Sequence, residues 1–189
     1  DIVGFRRRGE VDARGAGQMF DTALALLARP WGEGEAVVVK PSNVLNPVAA
    51  GLMTLRPQAR AIVMTAPLPV FLASVARKGM WCRLWVRELL EGMVADGAVQ
   101  LGFDGPALFR LTDLQVAAVG WLAQQQIFHG LIDRFGAGRV RSLSSEALMA
   151  DPVAVLAGAI SHFGLAGGRA GDLAAGPAFT RNSKSGDAF

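Results

Sequence analysis

The stretch that decides the fold class is Arg-Ala-Ile-Val-Met-Thr-Ala-Pro at residues 60–67. Its apolar, partly β-branched centre predicts a buried strand. Two other stretches have the same character: Ala-Val-Val-Val at residues 36–39 and Arg-Val-Arg-Ser-Leu at residues 139–143. The sequence therefore predicts three short strands that lie far apart along the chain.

Helical patterns separate these strands. Apolar spacing predicts helices at residues 17–29, 44–55, 67–77, 81–94, 112–135 and 153–163. Pro30 ends the first, Asn46 and Pro47 predict the start of the second, and Thr112 with Gln115 predicts a capping box. Strands separated by helices require parallel crossovers, so we expect an α/β fold with a parallel sheet flanked by helices.

The chain length predicts one domain. A chain of 189 residues buries a substantial core and is short for two domains. Residues 1–15 and 167–189 are rich in glycine and lack periodicity, so we expect irregular segments at both ends. Three strands are few for a parallel sheet. Either further strands escape detection, or the first strand of the sheet precedes Asp1.

Composition excludes several classes of protein. The most apolar long window, residues 61–76, contains two prolines and is shorter than the about 20 residues that cross a bilayer. A net charge of +3 is too weak to predict a nucleic-acid partner. One cysteine and two isolated histidines predict neither a disulfide nor a metal site. We expect a cytoplasmic protein without a membrane span, and the oligomeric state stays open.

Lys40 is the first candidate for chemistry. In open parallel sheets, ligands bind beyond the carboxyl ends of the strands, and Lys40 directly follows a predicted strand. Its ammonium is suited to neutralising charge on a transferring phosphoryl or sulfuryl group, although a solvated surface lysine has the same position. Ser42 either donates a hydrogen bond to the same group or caps the next helix.

A second group lies on the predicted helix at residues 67–77 and just after it. Ser74, Arg77 and Lys78 have the i, i+3, i+4 spacing of one helix face. Such a face can hold a phosphate. Basic residues at a helix carboxyl end are also favoured by the helix dipole, and the sequence does not separate the two interpretations.

The third group lies in the carboxyl-terminal segment, residues 179–187. Basic side chains, hydroxyl groups and a glycine alternate there, including Arg181, Lys184 and Gly186. Backbone and side chains of this kind wrap phosphate groups. A polar tail without a ligand has the same composition.

Taken in order, these segments resemble the sulfotransferase family of P-loop folds. The segments that carry the resemblance are residues 37–43, 60–67 with Ser74, 139–152 and 179–187. Together they cover most of residues 35–187. The resemblance implies a P-loop NTPase-like, three-layer α/β/α fold. It also implies transfer of a sulfuryl group from 3′-phosphoadenosine 5′-phosphosulfate (PAPS) to a hydroxyl or amine of a small-molecule or carbohydrate acceptor, with no metal.

The resemblance also implies roles for individual residues. Lys40 would stabilise the transferring group, with Ser42 beside it. The donor's 3′-phosphate would be held by Ser74, Arg77, Arg181, Lys184 and Gly186.

The sequence departs from the family pattern at three places. The amino-terminal strand and its phosphosulfate-binding loop are absent. Ala66 stands where the family usually has an arginine, and Ser42 stands where many members have a catalytic histidine. The alternative is therefore a non-catalytic α/β module that binds a protein partner or another anionic ligand. Trp81, Trp85 and Trp121 would supply an aromatic groove, or else belong to the core.

Overall fold

The computed structural model describes residues 2–102, 104–166 and 169–180. Most of these residues are helical. The helices are α1 Ile2–Arg7, α2 Ala13–Leu27, α3 Ala49–Leu55, α4 Leu68–Arg77, α5 Gly79–Ala95, α6 Gly105–Phe109, α7 Asp113–Phe135, α8 Ser145–Ala150, α9 Pro152–Phe163, α10 Ala170–Ala174 and α11 Pro177–Thr180. A 3₁₀ helix spans Asn43–Val48, and the strands are β1 Ala61–Thr65 and β2 Val140–Ser144.

Two of the three predicted strands are confirmed, and they pair with each other. β1 and β2 run parallel, in a register that aligns Ala61 with Val140 and Thr65 with Ser144. The buried side chains of Val63 and Val140 explain why these stretches are apolar. The described chain thus combines many helices with a small parallel sheet, as an α/β fold requires.

The prediction of a third strand, at residues 36–39, is wrong. These residues have no regular secondary structure, and Val37, Val38 and Val39 are 40%, 61% and 43% exposed. A β-branched run becomes a strand only where another strand satisfies its backbone. Within the described residues no strand pairs with this run, so its preference for the strand conformation does not produce a strand.

Both predicted irregular ends contain helices. Residues 2–7 form α1, which buries Val3 and packs against α2. Asp12 caps α2 by accepting a hydrogen bond of 2.7 Å from the Gly15 amide, and α2 therefore begins four residues before the predicted start. At the other end, residues 169–180 include α10 and α11. These short helices lack the periodicity that sequence analysis detects.

The helix predicted at residues 44–55 also differs. Asn46 is not an N-cap: it lies inside the 3₁₀ helix, as does Pro47, and the α-helix begins only at Ala49. The Nδ2 atom of Asn46 is buried without a hydrogen-bond partner in the described chain. By contrast, Thr112 and Gln115 form the predicted capping box of α7, and Gly136 ends that helix with a φ of +76°.

The described residues divide into two compact units. The first comprises residues 2–59 and 68–136 apart from 103, and the second comprises residues 60–67 and 137–180 apart from 167–168. The first unit is organised around α5 and α7, which bury Leu90, Met93, Val116 and Ala123 in one cluster. None of the described helices is both long and apolar enough to cross a membrane.

A partly buried ion pair connects α1 to the end of α5 in the first unit. The Arg7 Nη2 donates to Asp96 Oδ2 at 2.7 Å, and its Nε lies 3.2 and 3.3 Å from the two carboxylate oxygens. The Asp96 side chain is only 3% exposed. A carboxylate at the carboxyl end of a helix is disfavoured by the helix dipole, so Asp96 depends on the Arg7 charge.

His162 connects α9 to β1 in the second unit. Its ring is buried, and Nε2 lies 3.0 Å from the Ala61 carbonyl oxygen. Because a carbonyl only accepts, Nε2 carries the hydrogen and donates it. Arg60 completes the link: its Nη1 donates to the carbonyl of His162 at 2.6 Å.

Replacing His162 with phenylalanine is expected to lower the free energy of unfolding by about 1–3 kcal/mol. The ring shape is kept, but the Ala61 carbonyl loses a buried donor. The measurement is urea denaturation followed by circular dichroism. The control is His129→Phe, because His129 is exposed on α7. Equal losses in the two variants would show that the buried hydrogen bond contributes nothing specific.

Candidate functional site

The carboxyl edge of the small sheet lies in the second unit. The register sets Thr65, at the end of β1, beside Ser144, at the end of β2. Their hydroxyl groups bond to nearby backbone. Thr65 Oγ1 donates to the Leu143 carbonyl at 3.5 Å, and Ser144 Oγ accepts from the Glu146 amide at 3.2 Å. The edge therefore carries two hydroxyl side chains, Thr65 and Ser144, at the ends of adjacent strands.

Lys40 and Ser42 lie together in an exposed segment of the first unit. Lys40 does not follow a strand, contrary to the prediction, because residues 36–39 form none. Its ammonium makes no ion pair with any described residue. Ser42 precedes the 3₁₀ helix but does not cap it with its side chain, and its hydroxyl donates to Asn43 Oδ1 at 3.3 Å.

Ser74 and Arg77 lie on α4, also in the first unit. Ser74 is half-buried, whereas Arg77 is exposed at the end of the helix. Their separation of three residues puts both on one face of α4, as the sequence predicts. Because Arg77 is in the last turn, phosphate binding and stabilisation of the helix dipole are both still consistent with its position.

The remaining predicted ligands of the 3′-phosphate, Arg181, Lys184 and Gly186, lie outside the described residues. Their role stays a prediction. The described part of this segment ends with α11.

The structure also contains a feature that sequence reasoning missed. A cavity of about 400 Å³ lies in the first unit, among residues of α1, the 3₁₀ helix and α5. Its polar and charged lining side chains are Arg7, Asn43 and Glu88, and its apolar ones include Val44, Trp85 and Leu89. The only sequence signals were the basic run at residues 6–8 and the spacing of the aromatic residues. Neither indicates that Arg7 of α1 lies against α5.

Comparison with known proteins adds no relative. No protein-family model matches the chain, and no match was found among curated proteins or solved structures. A function for this protein therefore has to be argued from its own residues.

Proposed function

We propose that this protein is a sulfotransferase-like enzyme with a P-loop-like, three-layer α/β/α fold. The reaction moves a sulfuryl group from PAPS to a hydroxyl or amine of a small-molecule or carbohydrate acceptor. The observation that carries the proposal is the parallel pairing of β1 with β2. These strands lie within two of the segments that resemble the family. Their pairing sets the hydroxyl side chains of Thr65 and Ser144 at the carboxyl edge of the sheet, and ligands of open parallel sheets bind at such an edge.

The proposed chemistry needs positioning and charge neutralisation more than covalent catalysis. The acceptor oxygen or nitrogen forms a bond to sulfur while the bond between sulfur and the bridging phosphate oxygen breaks. The acceptor proton passes to water, and 3′-phosphoadenosine 5′-phosphate (PAP) is the leaving group. Lys40 neutralises charge on the group in transfer, with a hydrogen bond from Ser42. Ser74 and Arg77 bind the 3′-phosphate.

The test is nucleotide binding by the full-length gene product. PAP is expected to raise its melting temperature, because a ligand that binds only the native state stabilises it by about 2.7 kcal/mol at a hundred times its dissociation constant. Adenosine 5′-monophosphate is the matched control ligand, since it lacks the 3′-phosphate, and it should stabilise less. The measurement is thermal unfolding followed by circular dichroism.

A double variant tests the proposed 3′-phosphate site. Ser74→Ala with Arg77→Gln is expected to remove most of the difference between the melting-temperature shifts that PAP and adenosine 5′-monophosphate cause. Arg110→Gln is the control, because Arg110 is exposed and lies outside the proposed site. An unchanged melting temperature with millimolar PAP would refute donor binding.

A non-catalytic module that binds a protein partner or another anionic ligand is the second candidate. The exposed position of Lys40, away from any described strand, favours it. Such a module would show no preference for PAP over adenosine 5′-monophosphate, and it would transfer no sulfuryl group. The nucleotide comparison therefore separates the two candidates.

A further inference from the structure

The cavity in the first unit is large enough for a small molecule. Its volume of about 400 Å³ lies within the range of roughly 300–1,000 Å³ that such sites occupy. Val44, Trp85 and Leu89 contribute an apolar wall. Sites of this kind bind an apolar ligand body and use a few polar groups to select its head group. The charges at the cavity therefore decide which ligand fits.

The positive charge of Arg7 is already compensated. Its Nε and Nη2 bond to Asp96, whose side chain is almost fully buried. The guanidinium also lies against the α5 backbone at Gly92, where a Cβ would come within 2.6–2.8 Å of its Nη1, Nη2 and Cζ atoms. Arg7 is thus held beside its counterion and contributes little net charge to the cavity.

The negative charge of Glu88 is not compensated in the described chain. Glu88 is exposed, and its carboxylate forms no ion pair with any described residue. Arg87, the neighbouring cation on α5, is paired with Asp113 at 2.7 Å. With Arg7 compensated by Asp96, the carboxylate of Glu88 is the lining charge that has no counterion among the described residues.

The aromatic wall of the cavity, like the Glu88 carboxylate, favours a ligand with a positive charge. Trp85 stacks on Trp81 with an interplanar angle of 4° and a centroid separation of 6.4 Å. The stacking restricts the orientation of the Trp85 ring. Tryptophan rings attract cations through their quadrupole, and an adjacent carboxylate adds to that attraction.

We propose that this cavity binds a small amphipathic cation, a protonated amine attached to an apolar body. The apolar body packs against Val44, Trp85 and Leu89, and the ammonium lies near Glu88. The proposal does not depend on sulfuryl transfer, because it concerns binding without a donor nucleotide.

Three probes that share one apolar body test the proposal. They are 4-phenylbutylamine, 4-phenylbutanol and 4-phenylbutyrate, titrated by ligand-observed NMR at low ionic strength, where charge interactions are least screened. The amine is expected to bind most tightly, and the acid at least about tenfold more weakly, a difference of about 1.4 kcal/mol. Equal affinities, tighter binding of the acid, or no binding of the amine would overturn the proposal.

Two glutamates of α5 give a matched pair of variants. Glu88→Gln is expected to weaken binding of the amine about fivefold, which is the size of effect expected from one exposed charge pair. The affinity for the alcohol should stay unchanged. Glu91→Gln removes the same charge from an exposed position that does not line the cavity, and it should leave both affinities unchanged. Equal effects of the two variants would overturn the assignment of Glu88.

A third variant locates the site. Leu89→Trp adds bulk to the cavity wall and is expected to abolish binding of both the amine and the alcohol. Circular dichroism and the melting temperature show whether the variant stays folded. A folded variant that still binds the amine with the original affinity would overturn the cavity as the site. Should the variant unfold, the glutamate pair still tests the proposal.

Discussion

Replacing Arg7 with leucine is expected to lower the free energy of unfolding by about 2 kcal/mol. The substitution leaves the Asp96 carboxylate, whose side chain is 3% exposed, without its partner. Because the Arg7 side chain is itself 29% exposed, the cost stays below the about 3–5 kcal/mol that is typical of a fully buried pair. The helix dipole at the end of α5 adds to this cost. For a chain of this size, the melting temperature should fall by roughly 4–8 °C. Thermal unfolding by circular dichroism measures the change.

The adjacent arginine provides the control. Arg8 pairs with Glu10, and both side chains are about half exposed, so Arg8→Leu should change stability little. The hydrogen bond from Arg8 lowers the pKa of Glu10. Any stability from that pair is therefore present above the ordinary pKa of a glutamate and is lost as the pH falls through the lowered value. If Arg7→Leu were as stable as Arg8→Leu, the ion pair with Asp96 would not hold α1 in place.

Replacing Lys40 with alanine is expected to slow sulfuryl transfer by about a hundred- to a thousandfold. This is the typical effect of removing one group that stabilises charge in the transition state. Binding of PAP should change much less, because the proposed 3′-phosphate contacts come from Ser74 and Arg77. The measurement compares turnover of the full-length gene product with its affinity for PAP.

The control for Lys40 is an exposed cation that lies outside the proposed site. Arg110→Ala removes one positive charge just after α6 and should leave turnover within about twofold, as surface substitutions usually do. Small and equal effects of Lys40→Ala on turnover and on PAP affinity would remove Lys40 from the mechanism. The outcome matters because the structure places Lys40 in an exposed segment and not at the end of a strand.

The predictions that are confirmed concern features with local causes. Both ends of α7 are set by adjacent residues: the Thr112 capping box begins the helix, and Gly136 ends it. The strands β1 and β2 are short apolar runs, and their parallel direction follows from the helices between them. The valine run at residues 36–39 has an equally strong local preference, yet it forms no strand because a strand also needs a partner.

The candidate sites also divide into features with local causes and features that need distant residues. Sequence reasoning could select Lys40, Ser42, Ser74 and Arg77 by residue type and spacing, because these properties are local. It could not find the cavity, because the cavity requires Arg7 of α1 to lie beside α5, more than 80 positions away along the chain. Nor could it find that Arg7 is paired with Asp96 while Glu88 has no counterion in the described chain.

By itself, the sequence determined the approximate bounds of the longer helices, two strands and their parallel direction. Each of these depends on residues a few positions apart or on the order of elements along the chain. The tertiary structure decided which strand candidate found a partner, which charges are compensated and where a cavity remains. Those outcomes depend on contacts between distant residues. Their free energies come from burial and charge pairing, which exist only once the chain has packed.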